Sequence, residues 1–116
     1  PHSVWVDREE RVFIVDRENH RIQIFDSDGR YLTEWTGFVR PQDIFIDADD
    51  TVYVAEARPS VSILTLEGEL LARVGEAGDA PGQFQGYPHA VWVDSHGDLY
   101  VGEVPSQGLF QKFARA

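Results

Sequence analysis

Pro1-His2-Ser3-Val4-Trp5-Val6-Asp7 opens the chain, and its pattern is written twice more, as Pro41-Gln42-Asp43-Ile44-Phe45-Ile46-Asp47 and as Pro88-His89-Ala90-Val91-Trp92-Val93-Asp94. Each copy is a proline, two or three small or polar residues, an apolar run and a closing aspartate. The copies start about 40 and then about 47 residues apart, inside the period range of solenoids, propellers and arrays. The chain therefore reads as a repeat protein.

Between the copies the residues alternate as strands and break as turns. Val12-Phe13-Ile14-Val15-Asp16 is β-branched or aromatic almost throughout, and Arg21-Ile22-Gln23-Ile24-Phe25 alternates polar and apolar as a half-buried strand does. Asp26-Ser27-Asp28-Gly29 signals a hairpin with glycine at the positive-φ position, and Tyr31 to Trp35 forms a fourth strand. The second unit repeats the plan with strands at Ile44 to Asp47, Thr51 to Ala55, Ser60 to Leu66 and Glu69 to Val74. A glycine- and proline-rich loop, Gly75 to Gly86, leads to the third unit, whose strands are expected at Val91 to Asp94, Leu99 to Gly102 and Gly108 to Phe113. The count is eleven strands in units of about 1–40, 41–87 and 88–116, the last lacking its outer strand. No stretch has useful helical periodicity.

Four-stranded antiparallel sheets repeated radially are the blades of a β-propeller. The expected fold is all-β, with three blades in this chain, half of a six-bladed ring. Val4-Trp5-Val6, Ile44-Phe45-Ile46 and Val91-Trp92-Val93 are apolar on both faces, as inner strands covered by neighbouring blades would be. A propeller closes with about four to eight blades. Three alone would leave apolar faces and strand edges open. Closure calls for a homo-oligomer, simplest as two half-rings, or for the remainder of a longer chain.

The 116 residues include 20 acidic and 10 basic side chains, a formal charge of −10. A field of that sign repels phosphate backbones, so nucleic acid is not an expected partner; Arg17, Arg21 and Arg30 are the candidates for a local basic patch that would override it. No apolar run approaches the roughly 18 residues of a membrane helix, and no basic stretch precedes an apolar one as in a signal peptide, so neither is expected. Without cysteine there is no disulfide framework and no thiolate metal site. Composition leaves the compartment open.

Val15-Asp16-Arg17-Glu18-Asn19-His20-Arg21-Ile22-Gln23-Ile24-Phe25 resembles the core of the NHL repeat, and Pro81-Gly82-Gln83-Phe84 ahead of Pro88-His89 resembles that repeat's lead-in. The resemblance implies a propeller, usually six-bladed, of a kind that serves as enzyme, protein-docking platform or RNA reader. Within it, Pro1-His2-Ser3 followed by Asp16-Arg17-Glu18-Asn19 is similar to the peptidyl-α-hydroxyglycine amidating lyases. That likeness implies a catalytic zinc held by histidines of alternate blades, here His2 and His89, with Arg17 facing the substrate carboxylate. Gln42 takes the histidine's place in the second unit, Ala90 stands where the family carries a calcium-associated aspartate, and Tyr87 stands where it carries methionine. The family's catalytic tyrosine has no counterpart in these residues.

Each candidate has an alternative reading. His2 and His89 are zinc ligands, or repeat consensus hydrogen-bonded at the start of an inner strand. Arg17 holds a substrate carboxylate as a fork, or pairs with a neighbouring carboxylate such as Glu18 or Asp16. Asp7, Asp47 and Asp94 recur at one strand end as turn caps rather than calcium ligands. Asp16, Glu56 and Glu103 share a place after the second strand, where they line an acidic mouth or anchor arginines such as Arg58. Trp5 and Trp92 read as core between blades, and His20 and His96 as solvated turn residues. Two functions remain: a binding or scaffold module (or an inactive portion of a lyase-like ring) with a protein or small peptide ligand, and a zinc-dependent lyase cleaving a C–N bond to amide and glyoxylate, or a related metal-dependent hydrolase.

Overall fold

The computed structural model describes residues 1–104 and 110–115. Strands β1 (Ser3–Val6), β2 (Val12–Asp16), β3 (Arg21–Phe25) and β4 (Tyr31–Trp35) form a first antiparallel sheet in the order β1-β2-β3-β4. Strands β5 (Pro41–Ile46), β6 (Val52–Glu56), β7 (Ser60–Leu64) and β8 (Leu70–Val74) form a second sheet in the same way. The loop after β8 holds a pair not expected from the sequence, in which β9 (Glu76–Ala77) runs parallel to β10 (Gln83–Phe84). Strands β11 (Tyr87–Val93), β12 (Leu99–Val104) and β13 (Phe110–Phe113) make the third sheet. The expected opening of that last strand at Gly108 lies outside the described residues, as does Ala116. Among the described residues no helix is long and apolar enough to cross a membrane.

The turns follow from one repeated device. Asp7 Oδ1 accepts the backbone N–H groups of Glu9 and Arg11 at 3.0 and 2.8 Å. Asp47 Oδ1 does the same for Asp49 and Thr51, and Asp94 Oδ1 for His96 and Asp98. These are turn caps, with side-chain oxygen replacing a backbone partner. The second oxygen is also engaged, by Arg11 Nε, the Tyr53 hydroxyl and the Tyr100 hydroxyl respectively. Asp26 repeats the arrangement at the hairpin before Gly29, whose φ is +86°.

The sheets stack face on face with a constant polarity. One side of the first sheet (Phe13, Val15, Ile22, Ile24) packs on Ile44, Ile46, Val52 and Val54 of the second. The other side of the second (Phe45, Ala55, Val61) packs on Val91, Val93, Leu99 and Val101 of the third. We call these the forward and backward faces: each forward face meets the next sheet's backward face. The repeat aromatics run forward in a row, with Trp5 to Phe45 at 4.8 Å and Phe45 to Trp92 at 4.6 Å between ring centroids.

The two ends of this stack are open, as expected of three sheets alone. Ile44, Phe45 and Ile46 are buried from both sides, but Val4 and Val6 are each 57% exposed and Trp92 is 61% exposed. Among the described residues no sheet lies behind the first or ahead of the third. Alternation along a strand separates its two faces, but it does not say whether a neighbour covers each one. Trp5 is core; Trp92 is an edge-on contact to Phe45 with an open outer face.

Each linker plugs one interface. Phe38, 6% exposed, enters the cluster between the first and second sheets, and Phe84, fully buried, enters the cluster between the second and third.

Candidate functional site

Gln42 and His89 stand where the strand register slips. Pro41 pairs with Glu56 and Asp43 with Ala55, so Gln42 is the extra residue of a bulge. Pro88 pairs with Glu103 and Ala90 with Gly102, so His89 is another. A bulge bends the strand and re-aims a side chain, and bulges are enriched beside functional sites. His2 sits just ahead of β1, its N–H donating to the Val15 carbonyl at 2.8 Å.

This geometry brings His2 and His89 together from the first and third sheets, with the second sheet between them. Their Nε2 atoms are 3.2 Å apart and their rings meet edge to face at 5.1 Å. With both rings neutral, one Nε2–H donates to the other Nε2. Burial pushes His2 below the ordinary imidazole value, and the positive charge of Arg17 pushes the same way, against the pull of Asp43.

Asp43, which the sequence reading did not single out, ties the mouth together. Its Oδ1 accepts the Ser3 hydroxyl at 2.8 Å, and its Oδ2 accepts the Val91 N–H at 3.1 Å. One carboxylate of the second sheet thus holds the residue after His2 and the second residue after His89. The only sequence signal was its place beside Gln42 in the repeated stretch, where the other units carry Ser3 and Ala90.

Arg17 opens a short 3-10 turn, Arg17–Asn19, directly after β2. Its Nε donates to Glu18 Oε1 at 3.0 Å, and Glu18 also receives Arg40 at 3.3 Å. Among the described residues no acceptor is seen for the terminal amino groups of Arg17, whose side chain is 31% exposed. His20 has left-handed backbone (φ +55°), and its Nδ1 accepts the Arg40 N–H at 2.9 Å, so it fastens the linker as well as meeting solvent. His96 is 84% exposed.

The three carboxylates at the ends of the second strands, Asp16, Glu56 and Glu103, serve as anchors. Asp16 accepts from Asn19 and Arg21, and the Asn19 hydrogen bond leads in holding its carboxyl below the usual range. Glu56, fully buried, accepts the Val39 N–H at 2.9 Å and the Ser62 hydroxyl. Arg58 Nε lies 2.9 Å from the same carboxylate. That N–H is not aimed at the oxygen as a hydrogen bond, so the pairing is one of charge. Glu103 accepts the Gln85 N–H at 3.0 Å. In both later units the carboxylate grips the linker entering its own sheet. A separate crevice of about 260 Å³, lined by Asp47, Tyr53, Leu99 and Phe113, contains neither His2, His89 nor Arg17.

The spacing of the imidazole pair bears on the zinc that the resemblance implies. Two ligands of one tetrahedral zinc, each about 2.0–2.1 Å from it, stand about 3.3 Å apart, so the 3.2 Å separation is a two-point bite. Among the described residues no group of three or more His, Cys, Asp or Glu could hold an ion. A catalytic zinc takes three protein ligands and keeps one open position. The described residues supply two imidazoles of such a set.

Stacked antiparallel sheets, a turn device repeated in every unit and a mouth built from equivalent positions define a β-propeller-type repeat protein. The NHL repeat matches residues 1–25, which include the Val15 to Phe25 core; the lead-in at Pro81 to Phe84 lies outside that match. The chain is 32% identical over 124 aligned residues to human NHL repeat-containing protein 3, covering 97% of this chain and 35% of the human protein. Both findings support a place with the NHL-repeat proteins. The chain spans about a third of that relative's length. Among solved structures it is similar to a protein of unknown function from Bacteroides caccae, with a TM-score of 0.75 and 16% identity over 90% of this chain and 39% of that one. It is also similar to virginiamycin B lyase from Staphylococcus aureus, with a TM-score of 0.70 and 16% identity over 99% of this chain and 41% of the lyase. At such identities the likeness concerns the fold.

Proposed function

We propose that the chain supplies three blades of a six-bladed NHL-type ring and acts as a binding module, with its ligand at the mouth where His2 and His89 meet. The observation that carries this reading is the His2–His89 contact at 3.2 Å, made by two blades across a third and braced by Asp43. The mouth offers the two imidazoles and, within electrostatic reach of His2, the positive charge of Arg17. A planar guanidinium with open amino groups suits a carboxylate, so the ligand class is a peptide or small molecule with a free carboxylate end.

The test is an NMR titration with a short glycine-ended peptide as free acid and as amide. The expected result is that the acid perturbs the His2 and His89 ring signals. The amide and the Arg17→Gln variant should both bind at least about tenfold more weakly, the scale of a lost charged hydrogen bond. Equal response to acid and amide, or no response at either ring, would overturn the reading.

A second reading is a metal-dependent, lyase-like ring, favoured by the two-point bite of the imidazoles. It requires further ligands from outside the described residues, and would show as stoichiometric zinc that is lost in His89→Ala.

A further inference from the structure

Two guanidinium groups converge on one carboxylate oxygen inside the chain, where the turn between β2 and β3 meets the linker into the second sheet. Glu18 Oε1 accepts Arg17 Nε at 3.0 Å and Arg40 Nη2 at 3.3 Å. Arg40 directly precedes β5, and its backbone is held more firmly than an exposed side chain needs. Its φ is +44°, left-handed for a residue with a Cβ, a conformation that persists only where the surroundings enforce it. His20 Nδ1 accepts the Arg40 N–H at 2.9 Å, and the Arg40 carbonyl accepts the Gln42 side-chain amide at 2.9 Å and the Ala57 N–H at 3.2 Å. Gln42 is 1% exposed and stands where the first and third units carry His2 and His89. At that repeat position the second unit supplies a buried amide that fixes an arginine, in place of an imidazole.

We infer that Arg40 is a second carboxylate-recognising residue, paired with Arg17, and that Glu18 is a tethered competitor for the ligand's carboxylate. Two guanidinium groups held close repel one another unless an anion lies between them, and Glu18 is that anion in the free protein. The contact shows what the pair accepts, a carboxylate bound through charged N–H donors. Glu18 is held loosely: its side chain is 68% exposed, and an exposed ion pair contributes little. A ligand carboxylate can therefore take its place without leaving either arginine unpaired. Pinning the Arg40 backbone in advance lowers the ordering cost of that exchange. This deepens the carboxylate-ligand reading above and rests on it, and it depends neither on the number of blades nor on zinc.

The experiment is a titration with acetate at constant ionic strength, followed on the Nε–H NMR signals of Arg17 and Arg40 in the wild type, Glu18→Gln and Arg40→Gln. Both arginine signals of the wild type should move with one dissociation constant. Glu18→Gln should bind about three- to fivefold more tightly, the scale of releasing an exposed ion pair. Arg40→Gln should weaken the response at Arg17 by about fivefold, with unchanged β-sheet circular dichroism. If that variant does not fold, Arg40→Lys, which keeps the charge and loses the fork, replaces it. An Arg40 signal that stays still, or Glu18→Gln binding no tighter than the wild type, would overturn the inference. Imidazoles that respond to the acid peptide while Arg40 is silent would leave the carboxylate reading standing without the arginine pair. Arginines that both respond to acetate while the imidazoles ignore the peptide would keep the pair and overturn the ligand's place at His2 and His89.

Discussion

Glu56→Ala is expected to lower the unfolding free energy by about 3 kcal/mol, read as a shift of the denaturant midpoint at unchanged slope. Removing one member of a buried ion pair leaves the other charge uncompensated, at a cost of roughly 3–5 kcal/mol. The lower end applies because the Arg58 side chain keeps 30% of its surface in water while that of Glu56 has none. The substitution also strands the Val39 N–H and the Ser62 hydroxyl. Gln at this position keeps hydrogen-bonding capacity and loses only the charge, so Glu56→Gln should fall between the two. A loss below about 1 kcal/mol for alanine, the scale of an ordinary surface pair, would contradict the anchoring role. The effect bears on function because Glu56 holds the linker that delivers Pro41, Gln42 and Asp43 to the mouth.

Phe84→Ala should be as damaging, at about 3–5 kcal/mol, the usual cost of truncating a buried phenylalanine. The ring is fully buried among Phe45, Val61, Val91 and Val101, and lies 6.0 Å from the Phe113 ring. Gly75 marks how closely the linker passes: a Cβ there would fall 2.2 Å from the Phe84 ring, at a φ of +95°. The space therefore belongs to one aromatic side chain, and the surrounding strands are too well fixed to collapse into its absence. A measured loss near 1 kcal/mol would show that the second and third sheets hold together without the plug.

The same linker shows where reading the residues reached its limit. Gly75 to Gly86 reads as a loop because glycine and proline interrupt every periodic pattern, and pattern is what local sequence expresses. That Phe84 turns inward and that β9 and β10 pair depends on the gap between two sheets, which is a tertiary fact. The strands themselves were legible because β-branched and aromatic residues alternate between aspartate-capped turns, and the caps at Asp7, Asp47 and Asp94 recur in register. His2 and His89 were legible as equivalent positions through Pro-His. Their contact was not, because it depends on bulges at Gln42 and His89 and on how far the stack curves. Asp43 went unremarked for the same reason: a carboxylate bridging three sheets looks, in sequence, like one more polar residue before a strand.

The central claim is that the stack curves enough for the first and third sheets to share one mouth. The most direct measurement is a nuclear Overhauser experiment between selectively labelled histidine rings at pH 7, where the lowered His2 value keeps that ring neutral. With Nε2 atoms 3.2 Å apart, the account predicts a strong cross-peak between the ring protons of His2 and His89, lost when Asp43 is replaced by alanine. Two resolved ring signals without a cross-peak would contradict it, leaving His2 and His89 as separate residues on separate sheets.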